Sequence, residues 1–364
     1  MRYVKRFFFL IGILFIAIWL NFSCSSKEKE NFSEIKWKQK VEETKTKDLY
    51  ASHYIDGKYF SPWMKMKDKK FLEVLGWKLF YKTSFTKEEK EFLPKVFPDT
   101  LKRLSQIKEN FILWIGHNTF LIRIDGIYWM TDPIFSKRAL LPPRLTPPAL
   151  TLKEFNSIVK NVNVLISHNH YDHLDHSSIK QLSQNATLVV PKGLKAVVMA
   201  MDQRNVHEMD WWEELKIGKD SKLICLPAQH WSMRIDQGRN ESLWVSYLLI
   251  TPSVTIYFGG DSGYFKGFKE IGRKYPEIDY AFMATTAYRP RWFMHYQHMN
   301  IPEAVQGFKD LNARFFIPTQ WGTFPLGSEP PGFPGLDLAR YIEKNQLDSS
   351  KYKIMNIGEI IPIE

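Results

Sequence analysis

The chain has 364 residues, 44% of them hydrophobic and 24% charged, a balance that excludes an intrinsically disordered chain. With only two cysteines it has no disulfide framework. Its formal net charge of +11 suits anionic surfaces such as lipid head groups, and without a basic tract or an RNA-binding motif nucleic acid is not an expected partner.

The chain opens with Arg2, Lys5 and Arg6, followed by an uncharged apolar run from Phe7 to Leu20. A helix that short falls below the roughly 20 residues that span a bilayer, so residues 1–23 read as a signal peptide. Ser23-Cys24 at its end resembles a bacterial lipoprotein signal, so an exported, membrane-anchored protein with lipid on Cys24 is expected. An ordinary signal peptide or an uncleaved membrane tail is the alternative. Residues 24–50, rich in Lys, Glu and Thr, read as a flexible tether.

Residues 51–110 form an accessory segment with a predicted amphipathic helix. Phe71, Leu72, Leu75 and Leu79 fall on one face, and Lys69, Lys70 and Lys78 supply charge. That face suits a membrane surface, or packs on the main domain.

From residue 111 onward the pattern predicts strands at 111–115, 118–124, 127–131, 162–167, 187–190, 222–226, 243–250, 254–258 and 314–318. Helices are expected at 175–182 and near 264–274 and 301–311. The order of elements predicts a layered α/β domain with mixed sheets over 111–364. Cys225, in the apolar strand Leu223-Ile224-Cys225-Leu226, reads as a buried core thiol.

Chemistry concentrates in Ser167-His168-Asn169-His170-Tyr171-Asp172-His173, which closes a predicted strand. Residues two apart on an extended chain point the same way, so His168 and His170 can share one metal while Asp172 and His173 reach a second. Imidazole with carboxylate suits zinc. His230, after the strand 222–226, and Asp261, in Gly259-Gly260-Asp261-Ser262-Gly263, stand at strand ends like His168. An aspartate there can bridge two metal ions, as in two-metal hydrolases.

HxHxDH followed by a later His and a later Asp resembles the metal motifs of the metallo-β-lactamase superfamily. The nearer resemblance is to the N-acyl-phosphatidylethanolamine-hydrolysing phospholipases D. It rests on Gly116-His117, Thr131-Asp132-Pro133, the His168–His173 motif, Asp210-Trp211-Trp212-Glu213-Glu214, Pro227-Ala228-Gln229-His230-Trp231, Pro290-Arg291-Trp292-Phe293-Met294, Tyr296-Gln297-His298 and Trp321-Gly322-Thr323-Phe324.

The resemblance implies a four-layered αββα sandwich with an N-terminal accessory segment. It implies one zinc on His168, His170 and His230, a second on Asp172 and His173, and Asp261 between them. Asp132 braces the metal loop, Gln297 and His298 face the phosphate, and Tyr288, Arg291, Trp292 and Phe293 shape the substrate cavity. Asp172, Asp261 and His298 are the expected catalytic groups; Gln297, His298, Tyr288 and Arg291 are expected to bind substrate. The expected reaction is hydrolysis of N-acyl-phosphatidylethanolamine to N-acylethanolamine and phosphatidic acid, with a phospholipid, a membrane surface and a second copy in a homodimer as partners. Other readings of the same motifs are a hydrolase of a lactone or phosphorylated sugar, and a lipoprotein that binds without turnover.

One position departs from the family, which has a histidine directly before Trp-Gly-Thr-Phe as the last ligand of the second zinc. This chain has Gln320, and no histidine follows His298. Gln320 is therefore expected either to ligate weakly, leaving one tightly held zinc and a second held loosely, or to yield its place to His295 or His298.

Overall fold

Alternation along single strands divides the apolar side chains of this protein between two cores. A computed structural model describes residues 32–67, 71–81 and 83–364, in which β1 (Tyr54–Ile55) and β2 (Lys58–Tyr59) form a small antiparallel pair ahead of the main sheets. Along β3 (Phe111–Gly116), Phe111, Leu113 and Ile115 enter one core while Ile112 and Trp114 enter the other. The same sorting holds along β4 (Thr119–Ile124), where Leu121 opposes Phe120, Ile122 and Ile124. Successive side chains on a strand face opposite sides, so a strand apolar throughout must be covered on both faces.

Seven strands form the first sheet. Besides β3 and β4 it holds β5 (Ile127–Thr131), β6 (Asn163–Leu165), β7 (Thr187–Pro191), β8 (Asn205–Met209) and β15 (Ile360–Pro362), in the order β15-β3-β4-β5-β6-β7-β8. The second sheet has β9 (Glu214–Ile217), β10 (Ser221–Pro227), β11 (Val245–Ile250), β12 (Thr255–Phe258), β13 (Ile278–Ala284) and β14 (Ala313–Thr319), ordered β14-β13-β12-β11-β10-β9. In each sheet antiparallel pairing gives way to parallel pairing, from β5 to β8 in one and from β12 to β14 in the other.

Helices cover both outer faces. Leu152 and Phe155 of the helix Leu152–Ile158, with Ile179 of His176–Gln181, pack on the outside of the first sheet. Phe268 and Ile271 of Gly267–Lys274, Ala304, Val305 and Phe308 of Ile301–Asp310, and Leu338 and Ile342 of Phe333–Lys344 join the core of the second. This is the αββα sandwich, and its last strand, β15, returns to pair with β3 through Ile360 and Leu113.

The tether expected over 24–50 is corrected from residue 32 onward. Ser33 caps a helix over Glu34–Glu42 that buries Trp37 and Val41, and a 3-10 turn over Thr46–Tyr50 buries Leu49. Trp37 and Val41 are four apart, hence on one helical face, and the indole Nε1 donates to Glu303 Oε1 at 2.9 Å. Two apolar anchors suffice to dock a segment whose composition is otherwise that of a linker.

The accessory segment also packs on the domain. Trp63 is buried, stacks on Phe265 at 5.2 Å and donates to Gln229 Oε1 at 2.9 Å, next to His230. A helix does occupy Phe71–Phe80, and Trp77 lies against Phe293 with ring centroids 4.9 Å apart. The side chains of Phe71, Leu72, Leu75 and Leu79, like the signal-peptide residues and Cys24, lie outside the described residues. Among the described residues no helix is long and apolar enough to cross a membrane.

Candidate metal centre

The site residues leave the ends of strands from both sheets, where the two layers meet. His168 follows β6, His230 follows β10 and Asp261 follows β12. Val245 N donates to Ser167 O at 2.9 Å, tying the motif loop to the second sheet. Gly260 makes this approach possible: its φ is +55°, and a Cβ there would lie 2.6 Å from the Cβ of Ser167.

Two groups of ligand-type side chains result, His168 with His170, His230 and Asp261, and His117 with Asp172 and His173. In the first, His168 Nε2 lies 2.8 Å from His170 Nδ1, and His230 Nε2 lies 3.3 Å from the same atom. Asp261 faces both groups, with Oδ2 3.5 Å from His230 Nε2 and Oδ1 3.5 Å from His173 Nε2. Asp172 Oδ2 stands 3.2 Å from both His117 Nε2 and His173 Nε2.

The opposite ring nitrogens show which atoms carry lone pairs. His173 Nδ1 lies 2.6 Å from Asp132 Oδ2, and His230 Nδ1 lies 3.1 Å from the Gln297 carbonyl. Both partners only accept, so each Nδ1 carries a proton and each Nε2 is the atom left for a metal, already bare on His230 and bare on His173 once that ring gives up its second proton. Ser167 Oγ donates to Asp132 Oδ2, so it accepts from His168 Nδ1 at 2.9 Å, leaving His168 Nε2 bare too. Bare nitrogens thus face one another and carboxylate oxygens in a buried space. His173 Nε2 makes no well-directed hydrogen bond, although Asp172 Oδ2 lies 3.2 Å away. Acceptors facing acceptors is unfavourable unless a cation sits between them, so these residues fit a divalent metal.

Electrostatics agree. Burial, reinforced by the neighbouring imidazoles, drives His168 and His230 well below the ordinary histidine pKa. Burial takes His170 down to about 4 against the pull of Asp172 and Asp261. Burial opposes ionisation of Asp172 and Asp261, but the adjacent His173 holds both well below the usual carboxylate range. His173 is raised, since Asp261, Asp172 and Asp132 outweigh its burial. Most of the ligand-type groups are therefore already in their metal-binding form at neutral pH.

Asp132 is the brace the motif implied. It accepts from Ser167 N at 2.7 Å, Ser167 Oγ at 2.7 Å and Asn118 Nδ2 at 2.7 Å as well as from His173. Gln297 is buried beside the first group and His298 is half-buried, its ring 5.3 Å from that of His230.

Three expectations are corrected. Gln320 is placed as a donor, not a ligand: its Nε2 donates to Asp261 Oδ1 while its Oε1 accepts from Thr286 at 3.1 Å. The reverse orientation would set amide oxygen against carboxylate. Arg291 is occupied by Glu34 at 2.6 Å, Glu303 at 2.8 Å and the His298 carbonyl at 3.0 Å, so it braces the loop rather than facing substrate. Tyr288, 2% exposed, donates to Asp337 at 2.7 Å, and its phenol is committed to packing. His117 was missed as a candidate ligand, because it precedes the HxHxDH motif by a long stretch of chain. Its position at a strand end, shared with the other site residues, was the available signal.

Fold and centre together define a metal-dependent hydrolase of the metallo-β-lactamase kind. The model of the β-lactamase superfamily domain matches residues 129–321. The N-acyl-phosphatidylethanolamine-hydrolysing phospholipase D 1 of Caenorhabditis elegans is 34% identical over 269 residues, 69% of this chain and 75% of its own. An uncharacterised protein of Mycobacterium tuberculosis is 32% identical over 282 residues, 73% of this chain and 72% of its own. Among solved structures, the metallo-hydrolase Igni18 of Ignicoccus hospitalis superposes with a TM-score of 0.55 at 21% identity, over 70% of this chain and 98% of its own. The chain belongs to the metallo-β-lactamase superfamily and, within it, to the family of the N-acyl-phosphatidylethanolamine-hydrolysing phospholipases D.

Proposed function

We propose that this protein is a zinc-dependent phosphodiesterase that cleaves N-acyl-phosphatidylethanolamine-type phospholipids, releasing N-acylethanolamine and phosphatidic acid. The supporting observation is a pair of ligand groups with Asp261 facing both, in a chain 34% identical to a phospholipase D named for this reaction. Bound there, zinc would supply Lewis acidity toward the phosphate oxygens and a water pKa of about 7.

The chain's own groups divide the remaining work. Asp172, ionised and with its side chain 14% exposed, would take a proton from the attacking water. Asp261 keeps its negative charge while facing His230 on one side and His173 on the other. His298 lies beside His230 at the rim, where its ring can protonate the departing alkoxide. Water oxygen joins phosphorus, the bond from phosphorus to the ethanolamine oxygen breaks, and that oxygen leaves with a proton.

The test is zinc-loaded protein on vesicles containing N-acyl-phosphatidylethanolamine in ¹⁸O-water, with products identified by mass spectrometry. Label should enter phosphatidic acid and be absent from N-acylethanolamine. Formation of diacylglycerol instead, or hydrolysis of lactones in preference to lipid, overturns it.

The positive start, apolar run and Ser23-Cys24 also lead us to propose export and membrane anchoring through lipid on Cys24. Cys24→Ala should move the protein to the soluble fraction; unchanged membrane association would contradict this anchor.

A further inference from the structure

We infer that His117 supplies an imidazole ligand at the second metal position, alongside Asp172, His173 and Asp261, in the role that Gln320 does not fill. The inference rests on the two-metal reading above and concerns which side chain completes it.

The backbone turns this ring into the centre by force. Gly116 has φ +134° and His117 has φ +54°, a conformation that residues other than glycine rarely adopt. Such a residue persists only where its surroundings hold it. Here His117 N donates to Thr323 Oγ1 at 3.0 Å, and its carbonyl accepts from Trp114 Nε1 at 2.8 Å and from Gln320 N at 3.1 Å. The side chain is fully buried.

The tautomer follows from its partners. Nδ1 lies 3.2 Å from the Gln320 carbonyl, which only accepts, so the proton sits on Nδ1. Nε2 then presents a lone pair 3.2 Å from Asp172 Oδ2, which also faces His173 Nε2 at 3.2 Å. The arrangement matches that of His173 in geometry: Nδ1 anchored on an acceptor, Nε2 aimed at the same carboxylate oxygen. Two such nitrogens around one carboxylate oxygen make a second cation position beside the first.

The rival donors lie elsewhere. Gln320 directs its amide N–H at Asp261. His295 packs between Phe32 and Trp37, with ring centroids at 4.7 and 4.6 Å. His298 stands against His230, on the side of the first group. Gln320 thus serves the second position indirectly, its carbonyl setting the His117 tautomer and its amide orienting Asp261.

The variant His117→Asn tests this. Asparagine tolerates the left-handed backbone and retains a donor near the place of Nδ1, but has nothing at the place of Nε2. Zinc is titrated alone, against a chromophoric chelator, into the metal-free full chain. One zinc should bind as in the parent, and the second at least tenfold more weakly. Equal second-site affinity in parent and variant overturns the assignment. A measurement on the parent chain needs no variant to fold. With zinc in the first position and cobalt added second, absorption fine structure at the cobalt edge should count two imidazoles, His117 and His173; a count of one overturns it. Neither measurement involves lipid, so failure here leaves the substrate reading intact, and failure of the lipid assay leaves this one intact.

Discussion

His173 Nδ1 and Asp132 Oδ2 lie 2.6 Å apart with neither side chain exposed, a buried carboxylate gripping the far side of a metal-facing imidazole. The same carboxylate takes the Ser167 hydroxyl, on which the His168 ring rests, so one aspartate orients a ring in each ligand group. Asp132→Asn keeps the shape but removes the charge. Metal affinity is expected to fall about 10–100-fold, mostly at the second position, in a chelator-competition titration. An unchanged titration would show that loop packing alone orients these rings.

His168→Ala and Asp261→Ala should each reduce lipid hydrolysis by at least about a hundredfold. Metal content separates them. His168→Ala leaves the second group intact, whereas Asp261→Ala removes the oxygens that face His230 on one side and His173 on the other. Full activity in either variant would remove the centre from the reaction.

The shifted pKa values set a proton count for metal binding. At pH 6 a histidine in water is largely protonated, but burial and the adjacent imidazoles keep His168 and His230 neutral there, and burial takes His170 to about 4. The first equivalent of zinc should therefore release almost no protons from these rings. His173, held protonated by Asp261, Asp172 and Asp132 despite its burial, should release one when the second equivalent binds. Calorimetry in buffers of different ionisation enthalpy reads both numbers. The stability of the metal-free fold has the matching sign. A histidine with a lowered pKa contributes stability that is present above the unfolded value near 6.5 and lost as pH falls through its folded value, about 4 for His170.

Trp37 should be the anchor of the N-terminal segment. It is 6% exposed and shares Glu303 with Arg291. Trp37→Ala is expected to cost about 3–5 kcal/mol in denaturant unfolding and to open residues 34–50 to protease. Glu34→Ala, on an exposed partner of the same arginine, should cost about 1 kcal/mol or less.

How much of this was legible in the sequence depends on whether a signal was local. Strands such as 111–116 and 119–124 declare themselves through runs of apolar and β-branched residues, and the motif at His168 through spacing alone. Strand β13, Ile-Asp-Tyr-Ala-Phe-Met-Ala, escaped because alanine and methionine carry no strand preference; its place between β12 and β14 is what makes it extended. In the centre, His168, His170, Asp172, His173, His230 and Asp261 were readable, each at a strand end or within the motif. The roles of Arg291, Tyr288 and Gln320 were not. They depend on Glu34, Asp337 and Thr286, partners set by tertiary packing rather than by any neighbouring residue.

The docking of Phe32 and Trp37 around His295 also limits reach. Phe32 is joined to the domain beside the loop that carries His298, so an anchor at Cys24 would leave only the intervening residues as a leash. Fully stretched, eight residues span roughly 28 Å, less than the thickness of a bilayer with its head groups. On the proposed anchor and substrate, so short a leash would favour lipids of the leaflet that holds the protein's own acyl chains.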